Sequence, residues 1–375
     1  MATVMLMNAD FTLAGELPQY TGLTLKREFS GVGSFRLTLA RGMPGWALLA
    51  RGVLLYPSDA PWKMLIAEKV TVTEKQVTVE GVPLKGLAKR RVAVPPNVAA
   101  AGDVYQAFGW DRFSGDAQSA YLHYAAANLT APADPKRAFA RMVTGAAFVN
   151  APGASAAGEA LPWQARFDKL HELFGDIGEA TGVGWDIRPD FAAKRFVFAA
   201  WAGADRRGTA ATQAASTAPA AVLSRQMGNV DETTLVDDES AAVSTSYGGG
   251  AGEDENRLIL SVGNEAIGFE RREGWTEVSG ASDAALLRMG AQRKLASPKL
   301  TLTAGVTDSG LCRYGRDYEV GDRLVVVADG QRMETRLTAM EEVYERGTRQ
   351  LRATFGDAPV TLTSRMNGGA KATVW

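Results

Sequence analysis

The feature that most constrains the fold is a period-2 alternation of apolar and polar residues, which recurs in short segments. Residues 23–39, LTLKREFSGVGSFRLTL, alternate on both sides of a glycine-containing stretch, Ser30–Gly33. Residues 70–79, VTVTEKQVTV, alternate around Thr73–Lys75. This period places one set of side chains on each face of a strand, and the intervening polar residues favour hairpins. Residues 1–82 therefore predict about six or seven strands in a small barrel or sandwich.

The middle of the chain has helical periodicity as well. Residues 114–129 predict a helix with Ser114 as its N-cap, and Phe167–Thr181 predict a longer amphipathic helix. Gly182 ends this second helix, and residues 185–201 then have the pattern of a strand pair. The middle region is therefore predicted to be α+β.

Strand patterns return after Val222 and continue to Gly356. They are interrupted by one predicted helix, 281–296, with Ser282 as the candidate N-cap. The last four apolar segments before Gly356 each predict a strand. The fold class expected from these patterns is a β-rich, multidomain α+β protein.

Two stretches have the composition of linkers. Asn150–Glu159 and Gly208–Ala220 are rich in small residues and contain few apolar anchors. Such segments cannot bury enough surface to fix their conformation, so mobile surface loops are expected there.

Composition excludes several classes of protein. The 375 residues allow roughly two to four domains, and the net charge of −1 gives no field that would attract nucleic acid or an acidic membrane. The single cysteine, Cys312, rules out an internal disulfide and fits folding in a reducing cytoplasm. The N-terminal MATVMLMNADF lacks the features of a signal peptide, and no apolar stretch is long enough to predict stable membrane insertion.

No motif indicates a cofactor, a metal or a nucleophile. A zinc-protease helix would require a second histidine four residues after His171, where the chain has Gly175, and His123 has no histidine nearby. Gly-x-Ser-x-Gly, Walker and dinucleotide-binding patterns are absent from the sequence. Gly248–Gly252 is not followed by the Lys-Ser/Thr pair of a phosphate loop. The prediction is no cofactor, no metal and no catalytic residue.

Two acidic runs and eight tryptophans leave alternatives open. Asp231–Glu239 and Glu253–Asn256 could supply oxygen ligands to calcium, although neither has EF-hand spacing, and solvated loops explain both. The tryptophans could line a sugar groove, but their scatter along the chain favours core and interface positions. A glycosidase would need two carboxylates across a cleft, and no pair is marked out by the sequence.

The segment 313–327, RYGRDYEVGDRLVVV, raises the question of a carboxylate pair directly. Gly321 and Asp322 immediately precede an apolar strand, and glycine tolerates positive φ while aspartate bonds backbone N–H groups. Asp317 and Tyr318 begin the same loop. The local chemistry therefore favours a structural turn formed by Asp317, Tyr318, Gly321 and Asp322 over a catalytic pair.

The same segment resembles a known family. DYEVGDRLVVV, followed by METRLTAMEEVYERGTRQLRATFG, resembles the C-terminal part of the tail-tip or baseplate hub proteins of long-tailed phages. Further resemblances follow in the order of that family: REFSGVGSFRLTLA, VEGVPLKGLAKRRV, AQSAYLHYAAANL, FDKLHELFGDIGEATGVGWDI, the Gly228-Asn229 pair and FERREGW. The long Ala/Ser/Thr loop at 208–220 departs from the family pattern.

The resemblance implies a fold and a division of the chain. Hubs of this kind contain two antiparallel β-barrels similar to those of the tail tube, with an α+β domain between them. On this basis residues 1–92 are expected to form the first barrel and 93–207 the lateral α+β domain. Residues 208–222 would be a flexible linker, and 223–375 would form the second barrel with the inserted helix.

The resemblance also implies a structural function. Three copies would form a pseudo-six-fold ring that continues the tail tube, adapts it to a three-fold tip and leaves a channel for DNA. The expected partners are the distal tail protein, the tape measure protein and the tail fibre or receptor-binding proteins, and the expected location is the tail tip of the virion after assembly in the host cytoplasm. The alternatives are a cell-wall-degrading tail enzyme and a receptor- or carbohydrate-binding module.

Overall fold

The computed structural model describes residues 3–96, 99–101, 104–106, 109–139, 148–150, 160–208, 219–278, 281–309, 312–328, 330–345 and 347–356. The chain forms two compact units. Unit 1 comprises residues 1–232 and 304–354, and unit 2 comprises residues 233–303 and 355–375.

The N-terminal segment of unit 1 is built from antiparallel strands. These are β1 (Val4–Met7), β2 (Leu13–Leu17), β3 (Gly22–Glu28), β4 (Ser34–Ala40), β5 (Leu54–Pro57), β6 (Leu65–Val72) and β7 (Gln76–Pro83). Both predicted hairpins are confirmed: β3 pairs with β4, placing Leu23 opposite Leu37, and β6 pairs with β7, placing Val70 opposite Val79. The inward side chains of these strands form one apolar core.

The middle segment of unit 1 is α+β, as predicted. Its elements are β8 (Ala99–Ala101), β9 (Val104–Gln106), β10 (Asp111–Gly115), α1 (Ala117–Ala125), β11 (Phe148–Asn150), β12 (Leu161–Ala165), α2 (Leu170–Thr181), β13 (Gly184–Asp190) and β14 (Arg195–Trp201). The predicted strand pair is β13 with β14. Tyr121 and Tyr124 of α1 and Phe174 of α2 are fully buried in a second core with Trp185 and Phe198.

The predicted starts of both helices are wrong. Asp116, not Ser114, caps α1, because its Oδ1 accepts a hydrogen bond from the Ser119 N–H at 3.0 Å, and Ser114 lies in β10. The second helix begins at Leu170, since Phe167 has a φ of 60° and is exposed. Local propensity did not separate these positions because several neighbouring residues can cap or start a helix.

The C-terminal segment joins the sheet of the N-terminal segment. Its strands in unit 1 are β15 (Val222–Ser224), β21 (Arg323–Ala328) and β22 (Gln331–Glu345), while three more run across the unit boundaries: β16 (Val230–Asp238), β20 (Lys299–Val306) and β23 (Thr348–Gly356). β22 pairs antiparallel with β3, with Val343 opposite Thr24. The strand order within unit 1 is β23-β22-β3-β4-β7-β6-β5-β1-β2, with β21 pairing both β22 and β15. The fold is mostly antiparallel β-sheet with few helices.

Unit 2 contains a small sheet covered by a helix. Its complete elements are β17 (Thr245–Gly249), β18 (Ile259–Val262), β19 (Glu273–Glu277) and α3 (Ala284–Lys294). Asp283 caps α3 in place of the predicted Ser282, with its Oδ1 2.8 Å from the Ala285 N. A Cβ on Gly248 would lie 3.0 Å from Leu287, so this glycine lets α3 approach the sheet closely.

Some predictions concern residues that the structure does not describe. The loop predicted at Asn150–Glu159 and that predicted at Gly208–Ala220 lie largely outside the described residues, as do residues 357–375 of the predicted second barrel. No helix in the described part of the chain has the length and apolar character needed to cross a membrane.

Candidate functional site

The conformation of the predicted turn requires a glycine at position 321. Gly321 has a φ of +102°, which side-chain-bearing residues rarely adopt. A Cβ at this position would lie 2.3 Å from Cε2 of Phe29, which belongs to the N-terminal segment. The backbone of the turn therefore packs directly against an aromatic ring more than 290 residues away in sequence, at a distance that only glycine permits.

Asp322 connects this turn to a second loop. Its buried carboxylate accepts hydrogen bonds from the Glu319 N–H at 3.1 Å and the Ala204 N–H at 2.8 Å. The Arg206 Nε donates to the same carboxylate at 2.6 Å. These donors come from two different loops, so the carboxylate of Asp322 fastens the two loops together.

Arg336 on β22 reinforces the same junction and was missed by the sequence analysis. Its buried guanidinium donates from Nη1 to the Gly321 carbonyl at 2.8 Å and to the Ala202 carbonyl at 2.7 Å, and it lies 4.9 Å from the centroid of the Phe29 ring. The sequence signal that could have indicated Arg336 is the presence of an arginine inside a predicted strand, directly before Leu337.

The other two predicted turn residues lie at the start of the loop. Asp317 accepts a hydrogen bond from the Arg313 N–H at 2.8 Å. Tyr318 is buried, with its ring centroid 5.7 Å from that of Tyr314, and burial raises the pKa of its hydroxyl well above the ordinary value. All four predicted residues thus lie in one loop, and their role as a structural turn in place of a catalytic pair stays a prediction.

Glu319 of the same loop belongs to a buried network of ion pairs centred on Arg27 of β3. Arg27 Nη1 is 3.1 Å from Glu319 Oε1 and 3.2 Å from the Tyr314 hydroxyl, while Nη2 is 3.4 Å from Asp186 Oδ2. The guanidinium stacks 4.3 Å above the Trp62 ring. Burial opposes the charge of Arg27, but these acidic neighbours outweigh it and raise the pKa of the guanidinium.

A second buried ion cluster is centred on Glu342 of β22. Lys63 Nζ lies 2.5 Å from Glu342 Oε1, and Arg349 Nη2 lies 2.7 Å from Oε2. The Tyr344 hydroxyl donates to Oε2 at 2.8 Å, and the other side of the Arg349 guanidinium bonds Asp308 at 2.8 Å. Burial opposes ionisation of Glu342, but its two cations outweigh burial and lower the pKa of the carboxyl group.

Lys85 is buried, and no carboxylate of the described residues is in direct contact with its amine. Its Nζ donates to the Glu28 carbonyl at 2.8 Å and the Phe29 carbonyl at 3.1 Å, and it lies 4.6 Å from the centroid of Trp185. Complete burial lowers the pKa of the Lys85 amine to about 7. The adjoining cavity of about 10 Å³ is about the size that one water molecule requires.

The low pKa of Lys85 predicts a pH dependence of stability. Between pH 7 and about 10.5 the unfolded chain binds a proton at Lys85 that the folded protein does not, so stability should rise with pH. Relative to Lys85→Met, the unfolding free energy of the wild type should therefore increase with pH, by up to about 1.4 kcal/mol per pH unit between pH 7 and 9.5. Urea unfolding of both proteins at several pH values measures this change. Lys89→Met, at an exposed lysine of the same segment, is the control. Parallel pH profiles for wild type and Lys85→Met would contradict the lowered pKa of Lys85.

The remaining candidates from the sequence have ordinary surroundings. His123 Nε2 lies 2.7 Å from Asp111 Oδ1, whereas His171 is on α2, where burial lowers the pKa of its imidazole. Burial raises the pKa of the Cys312 thiol to about 11. Across the described ranges, no group of three or more His, Cys, Asp or Glu side chains is placed to hold a metal ion.

The arrangement of charges joins distant segments of unit 1. Arg27 comes from the N-terminal strands, Asp186 from the α+β segment and Glu319 from the C-terminal segment. Each carboxylate of the two clusters bonds a cation, and Asp322 also bonds backbone N–H groups. The chemistry of this site is therefore suited to fixing segments to one another, with its charge neutralised internally.

A comparison with protein families gives one match that spans most of the chain. The model of the Siphovirus ReqiPepy6 Gp37-like protein family matches residues 3–357. None of the curated proteins matches this chain in sequence.

Several solved structures of tail proteins share the fold of this chain. A tail protein from Neisseria meningitidis has a TM-score of 0.55 and 13% identity, with 97% of this chain and 99% of that chain covered. The 43 kDa tail protein of prophage MuSo2 from Shewanella oneidensis has a TM-score of 0.53 and 12% identity, with coverage of 94% and 98%. Prophage tail protein gp18 from Listeria monocytogenes has a TM-score of 0.50, 12% identity and 98% coverage of both chains. At these identities the similarity establishes the fold alone.

Proposed function

The chain belongs to the Siphovirus ReqiPepy6 Gp37-like protein family, and from this premise we propose that it is the hub at the tip of a phage tail. It is a structural phage tail protein. In the proposed hub, three copies form a pseudo-six-fold ring that continues the tail tube and adapts it to the three-fold tip.

The observation that carries the proposal is the extent of the fold similarity. The tail proteins of Neisseria and Shewanella origin share the fold of this chain over almost their full length. We assign residues 1–92 and 223–375 to two tube-like β-barrels and residues 93–207 to the lateral domain. In this proposal, strands of the two barrels are neighbours in one sheet, since β22 pairs with β3.

The proposed ring encloses a channel through which phage DNA passes without specific binding. A net charge of −1 supports this part of the proposal, because a strongly basic wall would retain the DNA phosphates. The partners assigned to the hub are the distal tail protein, the tape measure protein and the tail fibre or receptor-binding proteins. The hub has no catalytic role in this proposal, and Asp322 and Glu342 serve as structural carboxylates.

Imaging of the purified protein by negative-stain electron microscopy tests this function. Class averages with three-fold symmetry and a central lumen are the expected result. A protein that stays monomeric at every concentration, both alone and mixed with its distal tail protein, would contradict the hub assignment.

A further inference from the structure

Unit 1 has an open apolar pocket that the ion-pair network does not use. Its volume is about 170 Å³. The walls are aliphatic and aromatic side chains that are themselves almost completely buried: Leu54, Ile66, Leu84, Leu87, Phe139 and Phe196. A cavity of about 150 Å³ with such walls accommodates a benzene ring, so this pocket is large enough for one phenyl side chain.

The mouth of the pocket is basic and adjoins an aromatic surface. Ala9, Gly52 and Arg90 are the lining residues that reach solvent. The guanidinium of Arg90 lies 3.9 Å from the Glu68 carboxylate. The preceding residue, Lys89, is exposed and has no ion-pair partner in the described part of the chain, so it carries the uncompensated positive charge at the mouth. Phe11 packs 5.2 Å from Phe196 of the pocket wall. The surface around the mouth thus combines apolar area with positive charge.

Unit 2 carries an exposed apolar loop between β18 and β19. Phe269 is 95% exposed and Ile267 is 79% exposed, which makes them the two most exposed large apolar side chains of the described residues. Gly268, with a φ of +58°, lies between them at the start of a short 3₁₀ helix. Two large apolar side chains presented together on a turn are characteristic of a contact site.

The charge of this loop is opposite to that of the pocket mouth. Glu265 and Glu270 flank the two apolar residues, and within the described ranges neither carboxylate has an ion-pair partner. The arginines that follow, Arg271 and Arg272, are each paired with another carboxylate, Glu273 and Glu239, so the uncompensated charge of the loop is negative. An apolar tip with acidic flanks is therefore complementary in shape, polarity and charge to an apolar pocket with a basic mouth. We propose that Phe269 of one copy of this chain inserts into the pocket of a second copy, with Glu270 facing Lys89 and Arg90 of that copy.

This contact uses different surfaces on the two copies, so it is heterologous. A heterologous contact produces a closed ring when the rotation between copies closes on itself. The inference rests on the proposed function in one respect, since the ring of the hub is the assembly that this contact would close.

Two variants separate the loop from the pocket. Phe269→Ala removes the inserted ring, and Ala9→Trp fills the mouth of the pocket. Sedimentation velocity should show that each variant alone associates at least about thirtyfold more weakly than wild type, the effect of losing one central aromatic contact. An equimolar mixture of the two should form heterodimers that do not grow further, because Ala9→Trp supplies the loop and Phe269→Ala supplies the pocket. Met227→Ala, at another exposed apolar residue, is the control and should associate as wild type does.

A charge exchange tests the same contact without changing the pocket. Arg90→Glu and Glu270→Arg should each weaken association, and the double variant should recover it because the attraction is restored in the opposite sense. Circular dichroism and thermal unfolding verify that each variant is folded.

The outcomes distinguish this inference from the proposed function. Three-fold rings that persist in both Phe269→Ala and Ala9→Trp overturn the contact and leave the hub assignment intact. Heterodimers in the mixture, without rings of the wild-type protein, support the contact and contradict the hub. Variants and mixtures that all behave as wild type, or a wild-type protein that does not associate at all, overturn the contact.

Discussion

Replacing Glu342 with glutamine is expected to lower the free energy of unfolding by roughly 3–5 kcal/mol. The substitution preserves the shape of the side chain but removes the negative charge between Lys63 and Arg349. The buried Lys63 and the partly exposed Arg349 would then lose their shared counter-charge, and the Tyr344 hydroxyl would lose its carboxylate acceptor. Urea unfolding followed by tryptophan fluorescence at pH 7 measures the loss.

Glu341→Gln is the matched control for this variant. Glu341 is the preceding residue on β22 and is only partly buried, so Glu341→Gln should change the free energy of unfolding by less than about 0.5 kcal/mol.

The effect of Glu342 should also depend on pH in a defined direction. Because its folded pKa is lowered, its stabilisation is present above pH 4.5 and is lost as the pH falls through the folded value. A loss below about 1 kcal/mol in Glu342→Gln at pH 7 would show that Lys63 and Arg349 find other partners.

Replacing Gly321 with valine is expected to destabilise the protein by roughly 2–5 kcal/mol. Part of this cost is the positive φ, which β-branched residues resist, and part is the overlap of the new side chain with the Phe29 ring. The loop bonded to Asp322 should loosen at the same time. Thermal unfolding and limited proteolysis of the purified variant measure the two effects.

Gly315→Val separates these two contributions. Gly315 lies in the same loop with a φ of +85°, and a Cβ there would meet nothing within 4 Å. Gly315→Val should therefore lower the free energy of unfolding by about 1–2 kcal/mol, the conformational cost of the positive φ without the steric overlap. Equal effects of the two substitutions would mean that Phe29 moves aside without cost and that the close packing at Gly321 does not stabilise the turn.

The elements with strong local patterns were predictable. Alternation around Ser30–Gly33 predicted the β3–β4 hairpin, and the helical periodicity of residues 114–129 predicted α1, on which Tyr121 and Tyr124 are buried. Gly321 was predicted as a turn residue because positive φ favours glycine, a property that a single residue expresses. Helix starts were predicted less well, since Asp116 and Ser114 are both good capping residues and the choice between them depends on where β10 ends.

The sequence by itself determined the strands, the hairpins, the helices and the family resemblance, because each of these depends on residues that are near one another in the chain. Only the tertiary structure decided which strands meet and which charges pair. Arg27 and Glu319 are 292 residues apart, and Lys63 and Glu342 are 279 apart. No local pattern distinguishes a lysine or glutamate that will be buried from one that stays in water, because the partner that offsets its desolvation arrives only when β22 pairs with β3.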